Sequence, residues 1–330
     1  MKLNFTKMQA AGNDYIYLDC RAAGLPPNAT ALAVALAKAH NGEVVSADSM
    51  QVYRHMDIGS AKIMPEEMQG ITHYMIDELE PDEEFHVVRF TTMAKEYLKE
   101  IYAAGKIPII AGGTGFYIQA LLYDIDFTEQ QCDEAYRRQL EEQAKEHGAG
   151  YLHEMLRKVD LASAEAIHAN NVKRVIRALE FYHLSGQKIS EHNETERQKQ
   201  SPYNFAYFVL NDERAKLYER IDKRVDAMIA AGLVNEVQKL KDMGCSREMV
   251  SMQGLGYKEI LAYLDGEYTL EEAVYIIKRE TRHFAKRQLT WFKRERDVIW
   301  LDKQTFGYDE AAILTDMISI LQEKEIISHE

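Results

Sequence analysis

Cysteine is scarce in this 330-residue chain: Cys20, Cys132 and Cys245 stand far apart and form no CxxC pair. That spacing argues against a disulfide framework or a structural zinc site and for a reducing compartment, the cytoplasm by default. No apolar run approaches the ~20 residues of a membrane span. The opening "MKLNFTKMQAAGNDYIYLDC" lacks the apolar core and small-residue cleavage site of a secretory signal. Internal repeats and low-complexity segments are missing as well. Positive charge is in deficit, with a net charge of −13, which on its face speaks against nucleic acid. Distribution matters more than the total. Between Ile276 and Asp297 stand Lys278, Arg279, Arg282, Lys286, Arg287, Lys293, Arg294 and Arg296. Arg279, Arg282, Lys286 and Lys293 recur at helical spacing. For a charge run alone a solvated face is the plainer reading. Phe284, Trp291 and Phe292 in the same segment imply one packed side and one side open to phosphates.

What is present points to a globular α/β protein. The chain is 46% apolar and 28% charged, an ordinary balance. Its length suits one large domain with an insertion, or two domains. "YIYLDC" (15–20), "GEVVSAD" (42–48), "KIPIIAGG" (106–113), "NFAYFVLN" (204–211) and "DVIWLD" (297–302) read as strands. Most are continuously apolar, as strands covered on both faces of a parallel sheet are. Helical patterns such as "TTMAKEYLKEIYAAG" (91–105) alternate with them, which defines the α/β class. Residues 124–200 are charged, rich in Glu, Lys, Arg and Ala, and contain no strand-like run. They read as an all-helical insertion between a first core segment, 1–123, and a second, 201–330.

Two strand ends carry candidate chemistry. Asp48 follows a buried strand, and ligands of open parallel sheets bind outside the carboxyl ends of the strands. It is a candidate base or metal ligand, although an isolated Asp there is as often a cap. "IIAGGTGFY" repeats the geometry, with Gly112 and Gly113 allowing close backbone approach and Thr114 offering a hydroxyl. A tight turn explains that pair of glycines equally well when it is taken alone.

Together, "SADSMQVYRHMDIGSAK", "HYMIDELEPDEEF", "AGGTGFYIQALLY", "NNVKRVIRALEFY", "RIDKRVDAMIAAGLVNEV", "MQGLGYKE" and "RHFAKRQLTWFKRE" resemble the tRNA dimethylallyltransferase family in the right order. The resemblance covers about residues 30–302. It implies a P-loop-NTPase-like parallel sheet flanked by helices, with an all-helical, tRNA-binding insertion. It implies transfer of a dimethylallyl group from dimethylallyl diphosphate to N6 of the adenosine beside the anticodon, with Mg²⁺ as cofactor. Partners would be the tRNA anticodon arm and the diphosphate, with no membrane, and the chain would act as a monomer. Carried over residue by residue, Asp48 would accept the amine proton and Thr114 would sit near the bridging oxygen. Thr30, Ser49, Met50, Gln51 and Arg220 would bind substrate. Gln51 would hold the extruded base, Arg220 would meet the pyrophosphate, and the Thr30 hydroxyl would face Mg²⁺. Arg137, Lys173, Arg174, Arg177, Gln253, Arg282 and Arg287 would contact tRNA.

One family feature is absent. The pattern G-P-T-A-x-G-K-T/S, whose N–H groups and lysine hold the diphosphate, falls on Ala23, Gly24, Leu25, Pro26, Pro27, Asn28, Ala29 and Thr30. Only the terminal hydroxyl survives. The lysine has become Ala29, and Pro26 and Pro27 carry no N–H. Gly24 and Lys62 are the nearest substitutes, and neither restores the cradle. The expectation is a transferase with impaired activity; the alternative is an inactive tRNA-binding protein of the same fold. A nucleotide-hydrolysing P-loop protein is a weak third reading without Gly-Lys. Residues 1 to about 30 instead resemble the start of diaminopimelate epimerase, with Asn13 at a substrate-contacting position. Cys132 and Cys245 are not in that enzyme's glycine-rich settings, so epimerase activity is not expected. A chimeric reading frame joined near "ATALAVALAKAH" accounts for both resemblances.

Overall fold

The computed structural model describes residues 29–125 and 133–328. In chain order they form α1 (Ala29–Ala39), β1 (Gly42–Ser46), α2 (Pro65–Met68), β2 (His73–Tyr74), α3 (Val87–Ala103), β3 (Ile107–Ala111) and α4 (Gly115–Leu122). The helices α5 (Glu134–His147), α6 (Ala149–Val159), α7 (Leu161–Ala166), α8 (Val172–Ser185) and α9 (Ile189–Gln198) follow. The chain continues through β4 (Tyr207–Asn211), α10 (Arg214–Ala230), α11 (Leu233–Asp242), α12 (Tyr257–Leu264), α13 (Leu270–Phe292), β5 (Val298–Asp302) and α14 (Glu310–Glu323). Two compact units result: one up to Ile118 and from Tyr203 onward, the other Gln119–Pro202.

Among the described residues of the first unit every strand pairing is parallel. The order β2-β1-β3 forms one sheet and β4-β5 another among the described residues. β1 is buried at all five positions, Glu43 and Ser46 included, so both its faces are covered, as in a parallel sheet packed on both sides. Val44 and Ile109 contribute to a core with Phe208, Leu210 and Leu301, closed by Leu32 and Leu36 of α1 and by Ile313, Met317 and Leu321 of α14. Their strand neighbours Val45 and Ile110 alternate to the other face, and α3 packs on the same two strands. With Leu32, Ala33, Val34, Leu36 and Ala37 all buried, α1 is thus a sandwiched helix rather than a surface one.

Helix ends follow the local chemistry. The Thr269 hydroxyl accepts the Glu272 N–H at 3.2 Å while Glu272 accepts the Thr269 N–H at 2.8 Å, a reciprocal capping box. It starts α13, whose buried Ala273, Ile277, Thr281 and Ala285 recur every four residues. α3 begins at Val87, earlier than the run at 91 suggests, because the His86 ring accepts the Arg89 N–H.

Among the described residues the second unit contains only helices, packed on Leu140, Leu152, Leu156, Val175 and Leu179. Asp160 ties α7 to α9, accepting bonds from the N–H and hydroxyl of both Ser163 and Ser190. Glu180 is fully buried and accepts from the Asp133 N–H at 3.0 Å, from Arg137 at 2.8 Å and from Arg177 at 3.0 Å. Burial alone would raise its pKa; the bonds from Arg137, the Asp133 N–H and Arg177 outweigh burial and hold it below its ordinary 4.5. A depressed folded pKa contributes stability that is complete above the unfolded value and is lost as pH falls through the folded one. Acid titration followed by circular dichroism should therefore show helix loss beginning below about pH 4.5. Glu180→Gln should weaken that dependence and cost about 1–3 kcal/mol at neutral pH. An unchanged acid transition in the variant would contradict this assignment.

Candidate active site

Because β1 and β3 are parallel neighbours in register at Ser46 and Ala111, the chain leaves both strands at one edge. The Ala47 N–H donates to Ala111 O at 2.7 Å, and the Thr114 N–H donates back to Ala47 O at 3.2 Å. Only glycine fits between them: a Cβ on Gly112 would lie 2.3 Å from the Ala47 carbonyl carbon. The Ser49 N–H donates to the Thr114 hydroxyl oxygen at 3.3 Å. Asp48 accepts the Met50 N–H at 2.8 Å, so it caps a turn and not a helix. Asp48 and Thr114 therefore lie at the same carboxyl edge of the sheet, linked through the Ser49 N–H, where ligands of open parallel sheets bind.

A second layer fixes this turn. Gln51, which is buried, donates through Nε2 to Ala61 O at 3.1 Å. The loop holding Ala61 is fastened by Glu236, whose carboxylate accepts the N–H groups of Asp57 at 3.0 Å, Ile58 at 2.7 Å and Gly59 at 3.0 Å. The Tyr257 hydroxyl donates to the same carboxylate at 2.8 Å. Burial, with Glu236 beside it, pushes this phenol well above its ordinary pKa and keeps it a donor. The Tyr257 ring lies against Gly59, where a Cβ would come within 2.5 Å of it. Lys62 is spent internally: its ammonium donates to Tyr53 O and to the carboxylates of Asp57 and Asp77, which uses all three of its hydrogens. It cannot stand in for the lysine missing at residue 29.

A cavity of about 1040 Å³ opens beside this loop, lined among others by Ala31, Lys62, Met64, Arg224, Met228 and Glu236. Asp48, Gln51 and Thr114 are not among its lining residues. Its lining mixes the cations Lys62, Arg224 and Lys239 with the acids Asp57, Glu67 and Glu236 and an apolar strip of Ile58, Ile63 and Met228. Arg220 does not reach this cavity; it pairs with Asp212 at 2.6 Å, just past β4, and Asp212 also accepts from Tyr308 at 2.9 Å. Arg224, one turn further along α10 and 5% exposed, is the arginine that lines it. Arg224 stands four residues after Arg220 in "RIDKRVD", which puts both on one helix face.

The remaining candidates divide by environment. Lys173 and Arg174 are exposed on α8, whereas Arg137 and Arg177 hold buried Glu180. Arg282 pairs with Asp222, and exposed Arg287 lies over the Phe284 ring at 5.7 Å. Gln253 donates to Arg247 O, and Met50 packs against Gly254, where a Cβ would lie 2.6 Å from its methyl. Thr30 belongs to the first turn of α1, but its side chain, like residues 23–28 and the run at 15–20, lies outside the described residues. Cys132 lies outside them too.

Sequence comparison settles what the motifs suggest. The IPP transferase family profile matches residues 51–295. The chain belongs to the IPP transferase family. A tRNA dimethylallyltransferase from Lachnoclostridium phytofermentans is 64% identical over 298 residues, covering 90% of this chain and 95% of the relative. One from Acetivibrio thermocellus is 52% identical over 284 residues, 86% of this chain and 91% of that protein. Among solved structures, the tRNA isopentenylpyrophosphate transferase of Bacillus halodurans aligns with a TM-score of 0.67 at 44% identity, covering 90% of this chain and 93% of that one. A eukaryotic dimethylallyltransferase, solved acting on tRNA, aligns with a TM-score of 0.76 at 28% identity over 91% of this chain and 78% of that one. The fold is accordingly that of IPP transferases, a P-loop-like parallel sheet flanked by helices with an all-helical insertion, and the family's chemistry is prenyl transfer. Among the described residues no helix is long and apolar enough to cross a membrane.

Proposed function

We propose that this chain transfers a dimethylallyl group from dimethylallyl diphosphate to N6 of the adenosine beside the tRNA anticodon, at a rate depressed by the altered loop at residues 23–29. The observation that carries the reading is the convergence of Asp48 and Thr114 through Ser49 in a chain of this family. The exocyclic amine attacks the allylic carbon as the carbon–oxygen bond to diphosphate breaks, and Asp48 takes the amine proton. The Thr114 hydroxyl faces the bridging oxygen. Because Gln51 is anchored on Ala61, it serves this reading best as a rigid wall beside the extruded base. Arg220, held by Asp212 at 2.6 Å, would meet the departing diphosphate with its planar fork.

Mg²⁺ would join the diphosphate as the cofactor that the family resemblance implies. Among the described residues no three His, Cys, Asp or Glu side chains gather into a metal cage, and Mg²⁺ is commonly held by substrate phosphates and water with one or two protein oxygens. The Thr30 hydroxyl would be its protein ligand, and the ion would neutralise charge on the departing diphosphate. Lys173, Arg174, Lys286 and Arg287, all exposed, would contact RNA phosphates, giving affinity that falls with salt. The reaction belongs to the cytoplasm, with the chain acting as a monomer.

Radiolabelled dimethylallyl diphosphate with an anticodon stem-loop RNA tests the reading: slow, Mg²⁺-dependent label transfer to the adenosine is expected. RNA that binds without any labelling, and a melting temperature that Mg²⁺ and dimethylallyl diphosphate leave unmoved, would favour the inactive tRNA-binding protein instead.

A further inference from the structure

Helix α13 presents two kinds of side chain. Lys286, Arg287 and Lys293 are exposed, while Gln288 and Trp291, three residues apart, turn onto the Gly113–Gly115 turn. Gln288 Nε2 donates to Gly113 O at 2.7 Å. The Trp291 indole fills the space over Gly115: a Cβ there would lie 2.5 Å from Cδ1 and 2.7 Å from Nε1. Phe116 meets the same indole edge-on, with centroids 6.2 Å apart. Thr114 is thus held on both flanks by one helix, while its own N–H and hydroxyl oxygen are engaged by Ala47 and Ser49. A purely architectural pair would need to touch only the body of α4. This pair instead grips the two peptide units that aim the Thr114 side chain.

We propose that Gln288 and Trp291 are positioning residues for Thr114, and that α13 couples RNA docking on its basic face to placement of that hydroxyl. The inference rests on the prenyl-transfer reading, which it deepens. Neither side chain touches the reacting atoms. An error of about 1 Å in a positioned group costs on the order of 10² in rate, so the effect belongs in the rate and not in affinity.

The chain has two tryptophans, so Trp300→Phe leaves Trp291 as sole reporter. In that protein, an anticodon stem-loop RNA should shift Trp291 emission with the same half-saturation as the anisotropy of the labelled RNA. Adding Gln288→Leu should keep RNA affinity and the KM for dimethylallyl diphosphate within about twofold, and lower single-turnover transfer by about 10². Gly115→Ala should also slow transfer, and combining it with Trp291→Phe, which removes the ring atoms the methyl meets, should restore part of the rate. If the parent transfers too slowly to measure, an RNA-induced emission shift that Gln288→Leu abolishes still supports the coupling. RNA that binds without moving Trp291 emission, with Gln288→Leu as fast as its parent, overturns the coupling and leaves the functional reading standing. Absence of RNA binding overturns the functional reading, and the coupling with it.

Discussion

Rebuilding the phosphate loop, by Ala23→Gly, Gly24→Pro, Leu25→Thr, Pro26→Ala, Pro27→Ser, Asn28→Gly and Ala29→Lys, should raise dimethylallyl transfer by at least about 10²–10³. The figure is the usual effect of one preorganised donor to a developing anion, and here a lysine and two amides return together. α1 begins at Ala29, so a lysine there stands at a helix start, where N–H groups and the helix dipole already favour an anion. Lys62 is saturated by Tyr53, Asp57 and Asp77, and Arg220 is held by Asp212. Ala29→Lys alone should recover only part of the rate, since Pro26 and Pro27 still withhold two donors. Single-turnover labelling of the stem-loop RNA measures both variants. Equal rates for the rebuilt and original chains would show that the loop is not the defect.

How far the sequence discloses this molecule depends on the range of the interaction concerned. β1, β3, β4 and β5 lie within the runs that announce them; for the first three, strands covered on both faces need no partner-specific pattern to be recognised. β2 escapes notice because two residues, His73 and Tyr74, carry no periodicity. Asp48 and Thr114 are legible because each directly follows such a run and parallel pairing brings strand ends together. Glu236 and Gln288 are not: their partners lie 179 and 175 residues away along the chain, and nothing local marks a glutamate as the acceptor of three N–H groups. Arg137 and Arg177 show the converse. A cation in a basic motif reads as a phosphate contact, yet the residue that claims both is Glu180, buried within the same helical unit. The likeness of residues 1 to about 30 to diaminopimelate epimerase concerns residues outside those described. We propose a chimeric frame there, and sequencing the locus across codons 20 to 35 tests it.

In the loop-rebuilt protein, Asp48→Asn should lower transfer by about 10²–10⁴, the usual contribution of a positioned proton acceptor, with RNA affinity unchanged. The substitution is close to isosteric. Its amide oxygen still accepts the Met50 N–H that Asp48 takes at 2.8 Å, so the turn from Asp48 to Gln51 keeps its shape. What disappears is the capacity to hold a proton as the adenine amine becomes a cationic secondary amine. Thr114→Ala tests the other half of the pair: it removes the acceptor of the Ser49 N–H along with the hydroxyl facing the bridging oxygen, so it should slow transfer and also loosen the turn. The two variants therefore separate by stability as well as rate. Asp48→Asn should melt with its parent, whereas Thr114→Ala should lose about 0.5–1.5 kcal/mol for the missing hydrogen bond. Transfer by Asp48→Asn at the parental rate would remove Asp48 as the proton acceptor.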